Sequence, residues 1–296
     1  MDLTAHVPTL RTNLADYAVT RAMKDGRVSS DAVRLDYCGP TPAHNGFKAM
    51  VRENRFDAGE LAIVTFLQAR TYGKPYVLLP APILGRFQHH CAGFNIDFGD
   101  LKPKDIEGKK VGVRTYTQTT ALWIRGILHH EYGVDLDKVT WMTLGEGHLA
   151  EYRDPANCQR LPSGSSIPDM MLNGELAAAL LGEDMPKDPR VRTLVPDAHN
   201  AAKAWFEREG VVPINHMFVV HRDLSRQRPE IVREIYRMLA ESRAQAEGVP
   251  AAFPPMGLEA NRKGIQLAID WALDQKIIPH RLTVDELFDD VTGSLG

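Results

Sequence analysis

Hydrophobic and polar positions along this chain switch between a two-residue and a helical period. LTAHVPTL reads as a strand, and LADYAVTRAMKDG as an amphipathic helix closed by Gly26. VRLDYC predicts a second strand and AHNGFKAMVRENR a helix. In FDAGELAIVTFLQARTYG, Asp57, Ala58 and Gly59 are expected to open a helix that contains Glu60. PYVLLPAPIL and RFQHHCAGFN both read as strands. Near residue 100 the alternation starts again, with the strand VGVR, a turn over 115–120 and the helix TALWIRGILHHEYG. KVTWMTL predicts a strand, SSIPDMMLNGELAAALLG a helix followed by a strand, and NAAKAWFEREG a short helix. VVPINHMFVVHRDL returns as an apolar strand, and the remainder is mainly helical. This order predicts an α/β fold with mostly parallel strands. The expected architecture is two lobes with a cleft between them: residues 1–97 with 217–296 form lobe 1, and 98–216 form lobe 2.

Composition narrows the function classes. Thirty-five basic and 38 acidic side chains in 296 residues leave a formal charge of −3, which gives no electrostatic footprint for nucleic acid. No run of eighteen apolar residues exists, so no membrane partner is expected. Asp2, His6, Arg11, Asn13 and Asp16 interrupt every apolar stretch a secretory signal would need, so the expected compartment is the cytoplasm. Cys38, Cys91 and Cys158 have neither disulfide-framework nor metal-knuckle spacing. The eleven histidines lack ligand spacing, and HExxH, Cys/His metal and GxSxG patterns are missing, so no catalytic metal is expected.

Four groups of polar residues carry candidate chemistry. The turn before the helix at 120 combines free backbone N–H groups with Thr117, Thr119 and Thr120, a fitting site for a carboxylate. Arg114 at the strand end would add a charged fork. The alternative is that Thr119 only caps the helix and Arg114 is solvated. On the predicted strand around residue 89, alternation sets Arg86, Gln88 and His90 on one face and Phe87, His89 and Cys91 on the other. A structural histidine near a hinge is the alternative there. Asn215 and His216 stand at the entry of the returning strand, either facing a ligand or satisfying a turn. Glu60 is either a helix N-terminal partner or a base. His129 and His130 suit a helix C-terminus, GEGH lacks the remainder of a phosphate loop although Glu146 and His148 could line a cleft, and Trp123 and Trp205 read as core.

The order of five segments adds a resemblance. FDAGELAIVTFL, RFQHHCAGFN, DIEGKKVGVRTYTQTTALWIRGIL, VVPINHMFVVHRDL and GLEANRKGI together resemble the 4,5-dihydroxyphthalate decarboxylase family. The likeness runs from about residue 16 to 288. That family has FRHSA where this chain has FQHHC, so Gln88 replaces a basic residue and His90 a small one. The resemblance implies a two-lobed type II periplasmic-binding-protein-like fold. It implies a cofactor-independent carboxy-lyase acting on a hydroxylated aromatic dicarboxylate in aromatic degradation. The implied partner is that small molecule, with a homo-oligomer the one protein assembly considered. His89 takes the position of the family's histidine. With His216 it forms the expected acid–base pair, while Arg86, Arg114, Thr117, Thr119, Thr120, Asn215 and Glu60 are expected to bind substrate. Two other functions suit the same fold: a solute-binding protein for an aromatic carboxylate, and a lyase or dehydratase of another carboxylated metabolite.

Overall fold

The computed structural model describes residues 7–296. The first part of the chain holds β1 (Thr9–Asn13), α1 (Arg21–Lys24), β2 (Arg34–Asp36), α2 (Phe47–Glu53), β3 (Ala58–Ala62), α3 (Ile63–Thr71) and β4 (Tyr76–Gly85). Then come β5 (Ala92–Asn95), β6 (Lys110–Val113), α4 (Thr119–Tyr132), β7 (Thr140–Thr143), β8 (Cys158–Arg160), α5 (Ile167–Leu172), β9 (Ala178–Leu180), β10 (Val191–Thr193) and α6 (Ala198–Glu209). The chain ends with β11 (Ile214–His221), α7 (Arg222–Gln227), α8 (Pro229–Ala244) and α9 (Leu258–Asp274). The strand expected over 3–10 lies partly outside the described residues, and strand pairing begins at Thr9. Among the described residues no helix is long and apolar enough to cross a membrane.

Two compact units form. Unit 1 comprises residues 7–86, 214–269 and 280–296, and unit 2 comprises 87–213 and 270–279. The chain thus changes unit after residues 86 and 213, where the sequence suggested 97 and 216, and makes a further excursion over 270–279.

In unit 1 the sheet order is β2-β1-β3-β11-β4. The first three strands are parallel, and β11 runs antiparallel to both neighbours, so the sheet is mixed. β4 is apolar along its length because both its faces are covered. Val77, Leu79, Ala81 and Ile83 alternate onto one face, where they meet Phe218 and Val220 of β11 and Ile231, Val232, Ile235 and Met238 of α8. The helix expected to open at residue 57 is instead β3, and α3 starts only at Ile63. All five β3 residues are buried, which removes the two-residue alternation that marks a half-exposed strand. Gly59 is required here: at φ +151° a Cβ would lie 2.3 Å from the Asn13 carbonyl oxygen of the neighbouring strand. The amphipathic helix expected after residue 13 shrinks to the single turn α1.

In unit 2 the order is β10-β5-β9-β6-β7-β8, parallel from β9 to β8 and antiparallel around β5. The strand expected over 86–95 is reduced to β5. Residues His89–Cys91 form a 3₁₀ turn, closed by Cys91 N–H donating to the Gln88 carbonyl at 2.8 Å. Face alternation therefore does not sort Arg86, Gln88, His89 and His90, and Arg86 belongs to unit 1 while His89 belongs to unit 2. α4 buries ten consecutive residues and ends on left-handed Gly133. Residues 270–279 pack in the same unit: Trp271 meets Trp123 edge to face at 5.3 Å, and Gln275 Nε2 donates to the Leu122 carbonyl at 2.9 Å.

Candidate functional site

In open α/β sheets, ligands meet the ends of strands where the chain turns out of the sheet. In unit 1, that end holds residues after β1, the end of β3 and the start of β11. The β3–β11 register pairs Glu60 with Phe218 and His216 with Ala62. Glu60 and His216 are thereby diagonal neighbours on one face, within reach of each other across the strands. Their side chains meet, with His216 Nδ1 2.6 Å from Glu60 Oε2. Glu60 is fully buried and His216 keeps 14% exposure. An isolated buried carboxylate is costly, and this one is satisfied by three neighbours. The Ala15 N–H donates to Oε1 at 2.7 Å, and the Tyr17 hydroxyl donates to Oε2 at 3.1 Å beside the histidine. Against an ionised carboxylate Nδ1 is the donor, which leaves Nε2 as the ring's other nitrogen. Burial, and then the Glu60 charge, push the Tyr17 phenol above its ordinary value, so it remains a donor. Phe47 supports the imidazole edge to face at 5.2 Å between centroids. Asn215 is buried next to His216 on β11, and Arg86 follows the end of β4, whose Gly85 pairs with Ile214.

In unit 2 the register aligns Val113 with Leu180 and Leu180 with Ala92. The turn after β6 and the 3₁₀ turn before β5 therefore share one end of the sheet, two strand spacings or about 10 Å apart. α4 begins at Thr119, so Thr119 and Thr120 are its first helical residues and Gln118 occupies the N-cap with extended backbone. Gln118 makes no side-chain cap, and Thr119 Oγ1 is buried with no hydrogen-bond partner among the described residues. The simple capping role considered for Thr119 thus does not hold. The first N–H groups of a fourteen-residue helix and an unengaged buried hydroxyl together suit an anionic oxygen. Thr117 and Thr120 are also buried, whereas Arg114 is exposed, its carbonyl accepting from Leu144 and Gly145.

His89 is 1% exposed, its Nδ1 has no partner among the described residues, and its ring lies 5.9 Å from Trp205. Burial, with repulsion from His90 and Arg208, pushes it down to about 4, so it is neutral at pH 7. The sequence did not single out Tyr17, Phe47 or Gln118. Tyr17 sits in the short segment ADYA, which carries no motif, and reaches Glu60 across 43 residues of chain. Glu146 and His148 follow β7 in unit 2, while Trp123 and Trp205 are core as expected.

No family model matches the chain. Two curated relatives both bear the name 4,5-dihydroxyphthalate decarboxylase. The one from Comamonas testosteroni is 27% identical over 252 residues, covering 79% of this chain and 74% of that protein. The one from Pseudomonas putida is 27% identical over 206 residues, covering 65% and 79%. Among solved structures, the alkanesulfonate-binding protein SsuA from Xanthomonas axonopodis pv. citri bound to MOPS superposes with TM-score 0.58 at 12% identity, over 95% of this chain and 98% of that one. A DszB variant in complex with biphenyl-2-sulfinic acid gives 0.57 at 14% identity, over 97% and 98%. In sequence the chain is similar to two 4,5-dihydroxyphthalate decarboxylases, and in fold it is similar to the alkanesulfonate-binding protein SsuA.

Proposed function

We propose that this protein decarboxylates a hydroxylated aromatic dicarboxylate patterned like 4,5-dihydroxyphthalate, giving protocatechuate and CO2. The observation that carries the reading is the buried Glu60–His216 pair, at 2.6 Å, in a chain related to enzymes of that name. Direct loss of CO2 would leave an aryl carbanion, so the ring carbon must be protonated first. Ionising the hydroxyl para to the leaving carboxylate pushes electron density onto that carbon. The carbon takes a proton from solvent, its bond to the carboxylate breaks, the bonding pair restores the aromatic ring, and the base returns the hydroxyl proton to the resulting phenolate. One proton is consumed for each CO2 released.

A phenol ordinarily ionises near pH 10, so a positioned base is needed at neutral pH. His216 supplies it through Nε2, and Glu60 stabilises the imidazolium that results. Tyr17 and the Ala15 N–H hold Glu60 in place. Within unit 2, Thr119 with Thr117, Thr120 and the first N–H groups of α4 forms a carboxylate-binding group of its own, to which Arg114 adds charge. His89, neutral and buried, serves as a hydrogen-bonding ring rather than as an imidazolium acid. Arg86 and Asn215 are assigned to ligand contact beside His216. The ionised ring is its own electron sink, so the scheme calls for no added cofactor.

The test is turnover of 4,5-dihydroxyphthalate in D2O. The expected product carries one deuterium at the vacated ring carbon, and His216→Ala lowers kcat by at least about a hundredfold while substrate still binds. Tight binding with no CO2 from the unmodified protein would replace this reading with solute binding.

A further inference from the structure

Arg125 lies in the second turn of α4 and is 0% exposed. Its Nη2 donates to the Tyr116 carbonyl at 2.6 Å, inside the turn that leads into the helix, and its Nε donates to Gln275 Oε1 at 2.8 Å. The guanidinium lies 3.9 Å from the centre of the Tyr116 ring and 5.3 Å from that of Trp141. Nη1 is buried with no hydrogen-bond partner among the described residues. Among the described residues no carboxylate comes within ion-pair distance of it. Asp154 of the same unit pairs with Arg160 at 3.3 Å and acts on Arg125 only through its field, without a hydrogen bond. An arginine stays protonated, so unit 2 holds a buried positive charge whose partners are neutral carbonyls and rings. Its hydrogen bond to Tyr116 fixes that charge against the turn, where the positive end of the α4 dipole also points.

We propose that Arg125 is a specificity-determining residue that makes the start of α4 favour a dianionic aromatic ligand over a monoanionic one. The inference rests on the reading that this turn binds a carboxylate. A buried charge acts through a weakly screening medium, so each ligand charge gains from it and a second carboxylate gains again. Exposed Arg114 is screened by solvent and salt and discriminates far less.

The probes are phthalate, a dianion at neutral pH, and benzoate, a monoanion, titrated by calorimetry into the full-length protein. Arg125→Met is expected to lower the phthalate-to-benzoate affinity ratio about tenfold. Arg125→Lys, which keeps the charge, is expected to preserve most of it. An unchanged ratio in Arg125→Met, with Thr119→Ala weakening both ligands, overturns the role of Arg125 and leaves the carboxylate site standing. Failure of the unmodified protein to bind either probe, or unchanged binding in Thr119→Ala, overturns the carboxylate reading itself. Should Arg125→Met not fold, the unmodified protein decides. A ratio steady from low to high salt supports a buried source of selectivity, and a ratio that collapses with salt overturns it.

Discussion

At the scale of single residues, the Glu60–His216 contact makes the sharpest demands. Glu60→Gln preserves shape but replaces an acceptor by an amide that no longer fixes the Nδ1–H tautomer or balances an imidazolium. Its kcat is expected to fall at least about a hundredfold with KM nearly unchanged, measured by steady-state kinetics. A loss of binding with kcat retained would make Glu60 a ligand contact. His89 predicts a pH effect on stability. Its folded value, near 4, lies below its ordinary 6.5, so the unfolded chain binds the proton more readily between those values. Stability is expected to be full above about pH 6.5 and to decline as pH falls towards 4, by about 3 kcal/mol in total. His89→Gln should flatten that part of a pH–denaturation series. Glu60 and His216 were both legible as candidates because polar residues interrupt apolar runs. Their partnership was not, since 156 residues separate them and only the strand register joins them.

Among the elements, packing decides where the local pattern is ambiguous. Helices with one apolar stripe, such as α8, were readable from their periodicity. β3 was not, because a central strand buried on both faces looks as uniformly apolar as a buried helix. The 3₁₀ turn at His89–Cys91 escaped notice because one backbone hydrogen bond, rather than residue type, ends the strand there. The helix α4 offers a direct check. A Cβ on Gly126 would fall 1.9 Å from the Trp271 ring, so the two elements touch only because the residue has no side chain. Gly126→Ala should therefore destabilise the fold by about 1–3 kcal/mol, read as a lower midpoint in denaturant, despite alanine's better helix propensity. A neutral or stabilising result would mean that Trp271 moves aside freely.

For the whole molecule, the α/β class and a two-part organisation followed from the alternation of elements, while the strand orders did not. Sequence reading expected mostly parallel strands. A late segment, β11, returns antiparallel into the first sheet, and residues 270–279 pack with unit 2. The proposed chemistry draws only on this chain and its substrate, so dialysis against EDTA is expected to leave kcat unchanged. A loss restored by one divalent ion would overturn the scheme. The position of β11 has another consequence. β3 and β4 follow each other in the chain yet do not pair, because β11 lies between them. On the ribosome both strands emerge on the order of ten seconds before the segment that joins them. During that interval their backbone edges and apolar faces lack the native partner. Nascent chains stopped short of residue 221 should be avid chaperone clients and prone to aggregate, and the Glu60–His216 pair cannot exist until residue 216 has been made.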